Sequence, residues 1–481
     1  MLKILYAAAE AAPFIKTGGL GDVAGSLPQA LNKQSIDVRV VLPKYSAIAK
    51  QYQSKMKNIY AGTVNVSWRE QYFGIEKLKL NGVTFYFVDN EYYFKRENIY
   101  GYDDDAERFV FFCRAVLKML PEIDFWPDII HSNDWQTSLI NVFLKLGYTH
   151  DSRYSNIKTV YTVHNLKYQG VFPKTFLTDV LGLSEKYFDN GDLEFYDNIN
   201  FMKGGLLYSD TLTTVSRSYA EEIQNSYFGE QMDGVLRRRS NCLCGIVNGI
   251  DQSEYNPATD PHIFVPYTAV NALEKKTENK VNLQEKLGLP IDRNVPVLSF
   301  ISRFVEAKGI DLLTRILDEL LQYENIQFIL LGTGDYKYQE WFHGLQWRFP
   351  TKVSVNTVFS DELAHQIYAA SSHFLMPSRY EPCGISQMIA LHYGSIPIVH
   401  STGGLKDTII PYDSYTNNGN GFVFDNYNAH ELLFAIKRSL EKYDDIILRR
   451  RIIKNAMSSD YSWTNSAKQY KDVYTNLLKN K

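Results

Sequence analysis

The chain has 481 residues, 45% hydrophobic and 22% charged, which is ordinary for a globular protein and more than one hydrophobic core usually supports. Its formal net charge of −3 leaves no basic surplus to neutralise a phosphate backbone, which argues against nucleic acid as a partner. Four cysteines, Cys113, Cys242, Cys244 and Cys383, make neither a disulfide framework nor paired CxxC knuckles, and no apolar run reaches the roughly eighteen residues a bilayer requires, so the expected compartment is the cytoplasm.

In chain order, the apolar run 2–9 predicts an opening buried strand, followed by the turn KTGGLGD from Lys16 to Asp22. After it, Val23, Leu27, Ala30 and Leu31 stand at helical spacing. Strand, glycine turn and helix in that order suit an anion: glycines permit positive φ and bare the amides, and the helix points its positive end at the ligand. Lys16 precedes the glycines, where its ammonium can reach a diphosphate.

Further short apolar runs at 37–42, 84–88, 128–131, 159–163 and 211–215 alternate with helical patterns, and the second half repeats this at 295–301, 327–331, 374–376 and 396–399. Such alternation predicts an α/β protein of two doubly wound parallel sheets, with sites at the carboxyl ends of the strands. Turn formers crowd the stretch from Asn248-Gly249 to Asp260-Pro261, so the domains are expected at 1–247 and 248–459. The tail 445–479 reads as helices, and residues 460–481 are expected to return to the first domain. The run Arg237 to Arg239 reads as a solvated helix face.

The polar clusters fall at the predicted strand ends. Asn133, Asp134, Trp135 and Gln136 follow one strand and His164-Asn165 the next, a mixture of amides, carboxylate, imidazole and indole that suits a polyol better than a metal. Two readings stand for Asp134, a ligand group or the cap of the following helix, and two for His164, a ligand group or a satisfied histidine. Arg303 and Lys308 set two cations on one short loop, where they can meet charge on a departing diphosphate or serve as surface ion-pair partners. Glu381-Pro382-Cys383-Gly384 follows another strand, with the amides of Ile385 and Ser386 opening a helix. Glu381 can bind sugar hydroxyls or simply face a helix dipole, and Cys383 acts through its backbone because no histidine nearby in sequence activates it. The turn STGGLKD, from Ser401 to Asp407, repeats the first glycine phrase through Thr402, Gly403 and Gly404.

These blocks together resemble the bacterial glycogen synthases and plant starch synthases, retaining glucosyltransferases with two Rossmann-like lobes facing a deep interdomain cleft (GT-B). The resemblance runs along nearly the whole chain, through KTGGLGDV at Lys16, YGYDDDAERFVFF at Tyr100, HSNDWQT at His131, YTVHNLKYQG at Tyr161, MKGGL at Met202, TVS at Thr214, NGID at Asn248, SRF…KG at Ser302, EPCG at Glu381 and TGGLKDT at Thr402. Arg217 departs from the proline that often follows TVS, and Val305-Glu306-Ala307 from the usual polar link before Lys308.

The resemblance implies that Lys16 and the Gly18 and Gly19 amides contact the nucleotide-sugar, Arg303 and Lys308 the diphosphate, and Glu381 with the Cys383 to Ile385 backbone the donor glucose. It places Asp134, His164 and Asn165 along the same cleft and Asn248 at its rim. The implied reaction moves glucose from ADP-glucose to the non-reducing 4-hydroxyl of an α-1,4-glucan such as glycogen, with retained configuration and no metal or other cofactor. The alternatives are UDP-glucose as donor, a metal site at Asp103-Asp104-Asp105, and a silent glucan-binding protein on the same fold. Oligomeric state is open, and so is a double displacement with Glu381 or Asp134 as nucleophile.

Overall fold

Apolar runs of the sequence become the buried strands of two sheets in the computed structural model, which describes residues 1–479. The chain divides into one unit of Met1–Gly249 together with the segment from Trp463 onward, and a second of Ile250–Ser462. The expected limits had been 248 and 459; Asn248 and Gly249 lie in the first unit.

The first unit contains β1 (Lys3–Ala7), β2 (Asp37–Pro43), β3 (Lys57–Val66), β4 (Arg69–Leu80), β5 (Val83–Asp89), β6 (Ile129–Asn133) and β7 (Lys158–Val163). The short β8 (Val171–Pro173), β9 (Glu194–Phe195) and β10 (Asn198–Asn200) form a small antiparallel sheet of their own. With β11 (Thr211–Thr214) and β12 (Leu243–Gly245), the main sheet has nine strands in the order β12-β11-β7-β6-β1-β2-β5-β4-β3. Pairing is parallel from β12 to β5. Ile4, Leu5, Tyr6 and Ala7 of β1 are wholly buried, as in a strand covered on both faces.

One edge departs from the parallel expectation. There β3 and β4 form a hairpin, and β4 also runs antiparallel to β5. Exposed and buried residues alternate along much of these strands, so their apolar signal is diluted, and the β3–β4 turn uses Ser67, with φ 53°, instead of a glycine or asparagine. The β4–β5 turn is Asn81-Gly82, with φ 48° and 81°, the pair that type I′ hairpins favour.

The second unit has six parallel strands, β13 (Val297–Ile301), β14 (Gln327–Leu331), β15 (Val353–Asn356), β16 (His373–Met376), β17 (Ile396–His400) and β18 (Phe422–Phe424), ordered β15-β14-β13-β16-β17-β18. The helix Ile310–Tyr323 buries Ile310, Leu313, Leu317, Leu320 and Leu321, an apolar stripe of helical period.

The final helix, Trp463–Lys479, is built into the first unit, where it packs on the helix Gly19–Asn32 and buries Tyr470 and Tyr474. His131 of β6 anchors it. One ring nitrogen pairs with the Tyr474 hydroxyl at 2.7 Å and the other with Thr162 Oγ1 at 2.6 Å. Burial pushes the imidazole down to about 3, so it works as a neutral two-sided hydrogen-bonding group.

Candidate functional site

In the first unit, polar side chains collect beyond the carboxyl ends of β1, β6 and β7. Glu10, buried directly after the Ala8-Ala9 that continues β1, accepts from the Thr17 N–H at 2.5 Å and the Thr17 hydroxyl at 2.9 Å. Burial raises this carboxyl, partly offset by those hydrogen bonds. Glu10 thereby pins the KTGGLGD turn, a role the sequence signalled only as one acid set among alanines. Lys16 pairs with Asp22 at 3.1 Å, with both side chains accessible. Gly18 does not take the positive φ expected of it: at φ −166° it is extended, and space beside its α-carbon is open. Its value is a bare approach to the start of the helix Gly19–Asn32, which has no side-chain cap.

Asp134 does not cap its helix, and the backbone there turns through φ 55°. Its carboxylate instead crosses to the end of β7, accepting from the His164 N–H at 2.7 Å and from the Asn165 N–H. Burial pushes its pKa up to about 7 against those two hydrogen bonds. His164 Nε2 lies 2.9 Å from Asn133 Oδ1, which also accepts from the Tyr6 hydroxyl, so Nε2 carries the proton. Burial pushes the His164 imidazole down to about 3 and keeps it neutral. The Asn165 side chain closes a turn onto the Lys167 N–H at 3.1 Å. Asn248 is buried with its side-chain oxygen unpartnered among the described residues. Trp135 packs edge-on to Phe109 and against Phe172 and Phe201, so it belongs largely to an aromatic cluster rather than standing free for a sugar. In the arginine run, Arg239 is no solvated residue: it donates to the Leu207 and Ser209 carbonyls.

In the second unit, Arg303 is exposed on the loop after β13, whose backbone is held by Ser302 N–H to Leu331 O and Phe304 N–H to Thr333 O. Lys308 ends the same loop and donates to Glu381 Oε2 at 2.6 Å. The Ser378 hydroxyl donates to that oxygen at 3.1 Å. Gly309, at φ 76°, explains the close approach: a Cβ there would lie 2.0 Å from the Pro377 carbonyl oxygen. The turn after β16 and the turn after β17 interlock in the same way. The Gly404 N–H donates to Glu381 O at 3.0 Å. A Cβ on Gly403 would meet Glu381 O at 2.1 Å, and one on Gly404 would meet Cys383 O at 2.0 Å. Thus Glu381, Cys383, Gly384, Thr402, Gly403 and Gly404 form one backbone-lined corner, with Ile385 and Ser386 at its edge. Their helix, Ser386–His392, has only seven residues, so these amides act as individual donors more than as the end of a long dipole. His400, whose Nδ1 lies 2.8 Å from Ser378 O, and Ser378 itself support Glu381 from behind. Neither was marked in the sequence.

Among the described residues no group of three or more His, Cys, Asp or Glu side chains is arranged to hold a metal ion. In the acidic run, Asp104 pairs with Arg96 and Asp105 with the buried Arg108.

Two Rossmann-like units with polar clusters at the strand ends and paired cations beside a glycine-lined corner define a nucleotide-sugar glycosyltransferase of the GT-B class. Residues 3–238 match the starch synthase catalytic domain family and residues 283–459 the glycosyl transferases group 1 family. Glycogen synthase of Desulforamulus reducens is 52% identical over 479 residues, covering 100% of this chain and 99% of its own. That of Clostridioides difficile is 50% identical, covering 99% and 100%. The catalytic domain of starch synthase IV from Arabidopsis thaliana, bound to ADP and acarbose, superposes with a TM-score of 0.90 at 32% identity, covering 99% of both chains. The chain belongs to the glycogen synthase and starch synthase family.

Proposed function

We propose that this protein transfers glucose from ADP-glucose to the non-reducing 4-hydroxyl of an α-1,4-glucan, with retention at the anomeric carbon. Its relatives are glycogen synthases, and the starch synthase it resembles carries ADP, which supports adenine over uracil as the donor base. The observation that carries the reading is the Lys308–Glu381 pair, a cation and a carboxylate held in one corner by the interlocked glycine turns, with Arg303 on the same loop as Lys308.

Arg303 and Lys308 bind the diphosphate, with Lys16 and the Gly18 and Gly19 amides as further donors to the nucleotide-sugar. Glu381 and the backbone of Cys383, Gly384 and Ile385 hold the donor glucose, with Ser386, Thr402, Gly403 and Gly404 forming the wall behind. As the bond from C1 to the diphosphate oxygen breaks, negative charge grows on the leaving group and is met by these fixed donors. The acceptor oxygen bonds to C1 on the same face, and its proton passes to the departing phosphate oxygen. Each of the two carboxylates that could serve as the single nucleophile of a double displacement is already engaged: Glu381 by Lys308 and Ser378, Asp134 by two backbone N–H groups. This favours the single-face route.

Asp134, neutral His164, Asn165 and Asn248 order sugar hydroxyls from the first unit. No metal is assigned a role, and the reaction is placed in the cytoplasm. Incubation with glycogen and either ADP-glucose or UDP-glucose, labelled in the glucose and supplied with EDTA, tests the reading. Label entering polymer from ADP-glucose is expected; incorporation only from UDP-glucose, or none until a divalent metal is restored, would overturn it.

A further inference from the structure

At the amino ends of β16 and β17, the second unit contains a cavity of about 50 Å³. It opens at the pole of the sheet opposite the end from which the chain runs on to Glu381. Its polar lining includes Lys276, Lys280, His373, Lys442, Tyr443 and Arg449. Lys276 and Lys280 lie one turn apart on the helix Ala272–Lys286, and both are almost wholly buried. Among the described residues no carboxylate stands within 4.0 Å of Lys276, Lys280 or Arg449 in an ion pair.

Part of this charge is answered by backbone. Lys276 donates to the Tyr368, Ala369 and Tyr393 carbonyls, at the ends of the helices Asp361–Ala370 and Ser386–His392, and to the Ser395 hydroxyl; Lys280 donates to the Arg293 and Val295 carbonyls and to the Tyr443 hydroxyl. Two groups remain unanswered: His373 Nδ1, on a side chain only 4% exposed, and Arg449 Nε are both buried without a hydrogen-bond partner. Burial and the neighbouring Lys280 hold the Lys276 ammonium well below its ordinary pKa, and carbonyl dipoles offset but do not neutralise the charge that Lys280 and the half-buried Arg449 bring to the cavity. Lys280 is pushed down to about 8 by burial and by Arg449, with Asp292 partly opposing the shift, and burial, Arg449 and Lys276 push His373 down to about 3, so its imidazole is neutral.

We propose that this cavity is a binding site for one compact oxyanion, an inorganic phosphate or the phosphate head of a small monoester, held by Arg449 and His373, with the charge of Lys280 behind them. The volume admits a few water-sized bodies, which suits a single phosphate group and excludes a nucleotide. Arg449 and Lys442, both only half-buried, form the mouth, and Ile452 and Phe422 offer an apolar wall to the carbon of a monoester.

The test is calorimetric titration of the full chain with inorganic phosphate and, separately, methyl phosphate. An Arg303→Ala background keeps the diphosphate cations from dominating the signal. One site per chain is expected, with Arg449→Gln weakening it about tenfold or more, the loss of a charged hydrogen bond. Lys442→Gln, at the mouth, weakens it less and keeps the test alive should Arg449→Gln misfold. Methyl phosphate binding at least as well identifies a monoester site, and inorganic phosphate binding alone a site for the free ion. No phosphate heat in the Arg303→Ala background, or affinity unchanged in both mouth variants, overturns the proposal.

Discussion

Lys308 and Glu381 are joined by a 2.6 Å ion pair across the loops that follow β13 and β16. Both side chains are mostly shielded from solvent, so removing one partner strands the other's charge and costs more than breaking a surface bridge. Lys308 serves two partners in this account: it neutralises Glu381 and presents its remaining protons to the diphosphate. Lys308→Ala therefore removes a leaving-group donor and strands a carboxylate. The expected result is a fall in kcat of about a hundred- to a thousandfold, together with a lower melting temperature. Lys308→Arg should recover the melting temperature more fully than kcat, because a planar fork cannot place its charge as the ammonium does.

The interlocked turns make a second prediction. A methyl group on Gly404 would sit 2.0 Å from Cys383 O, so Gly404→Ala must push the turn after β17 away from Glu381. The donor KM should rise while affinity for glycogen, measured by cosedimentation, stays unchanged. An equal loss of both would assign the effect to general unfolding.

The third prediction concerns pH. His131, His164 and His373 are each pushed down to about 3 by burial. The unfolded chain therefore binds more protons at these sites, and stability falls as pH drops below about 6.5. Asp134 acts in the opposite sense. Its carboxyl, pushed up to about 7, holds a proton in the folded state that the unfolded state has released, so its contribution falls as pH rises from about 4 to about 7. Asp134→Asn removes that opposing slope. Urea melts between pH 5 and 6.5 should show stability dropping more steeply with acid in the variant than in the parent, and a shallower slope would contradict the assignment.

Tyr474→Phe leaves one ring nitrogen of buried His131 without its partner. A cost of about 1–3 kcal/mol is expected in denaturant melts, with kcat/KM unchanged, since the pair holds the final helix and touches no substrate.

Most of the parallel strands were legible because buried strands read as uninterrupted apolar runs and glycine turns punctuate them, whereas the three- and four-residue parallel strands β12, β15 and β18 are too short to make such a run. What escaped was structure whose signal is divided. The β3–β4 hairpin alternates exposed and buried positions, and the hairpin-favouring pair Asn81-Gly82, which lies in the turn after it, went unread. The candidate residues were visible by type, but not the bonds between them. Nothing in spacing reveals that Asp134 serves the backbone of His164 rather than its own helix, or that Glu10 holds Thr17. Of the two reasons for a glycine at Gly18, positive φ does not apply, since the residue is extended, while open access beside its α-carbon does.

The most direct measurement is kcat of Arg303→Ala with saturating ADP-glucose and glycogen, in protein whose melting temperature matches the parent. Arg303 is exposed, so its removal should leave the fold intact while lowering kcat by about a hundred- to a thousandfold, or roughly 2.7–4 kcal/mol of transition-state stabilisation. Turnover within a few-fold of the parent would contradict the claim that fixed cations of the second unit carry the charge of the departing diphosphate.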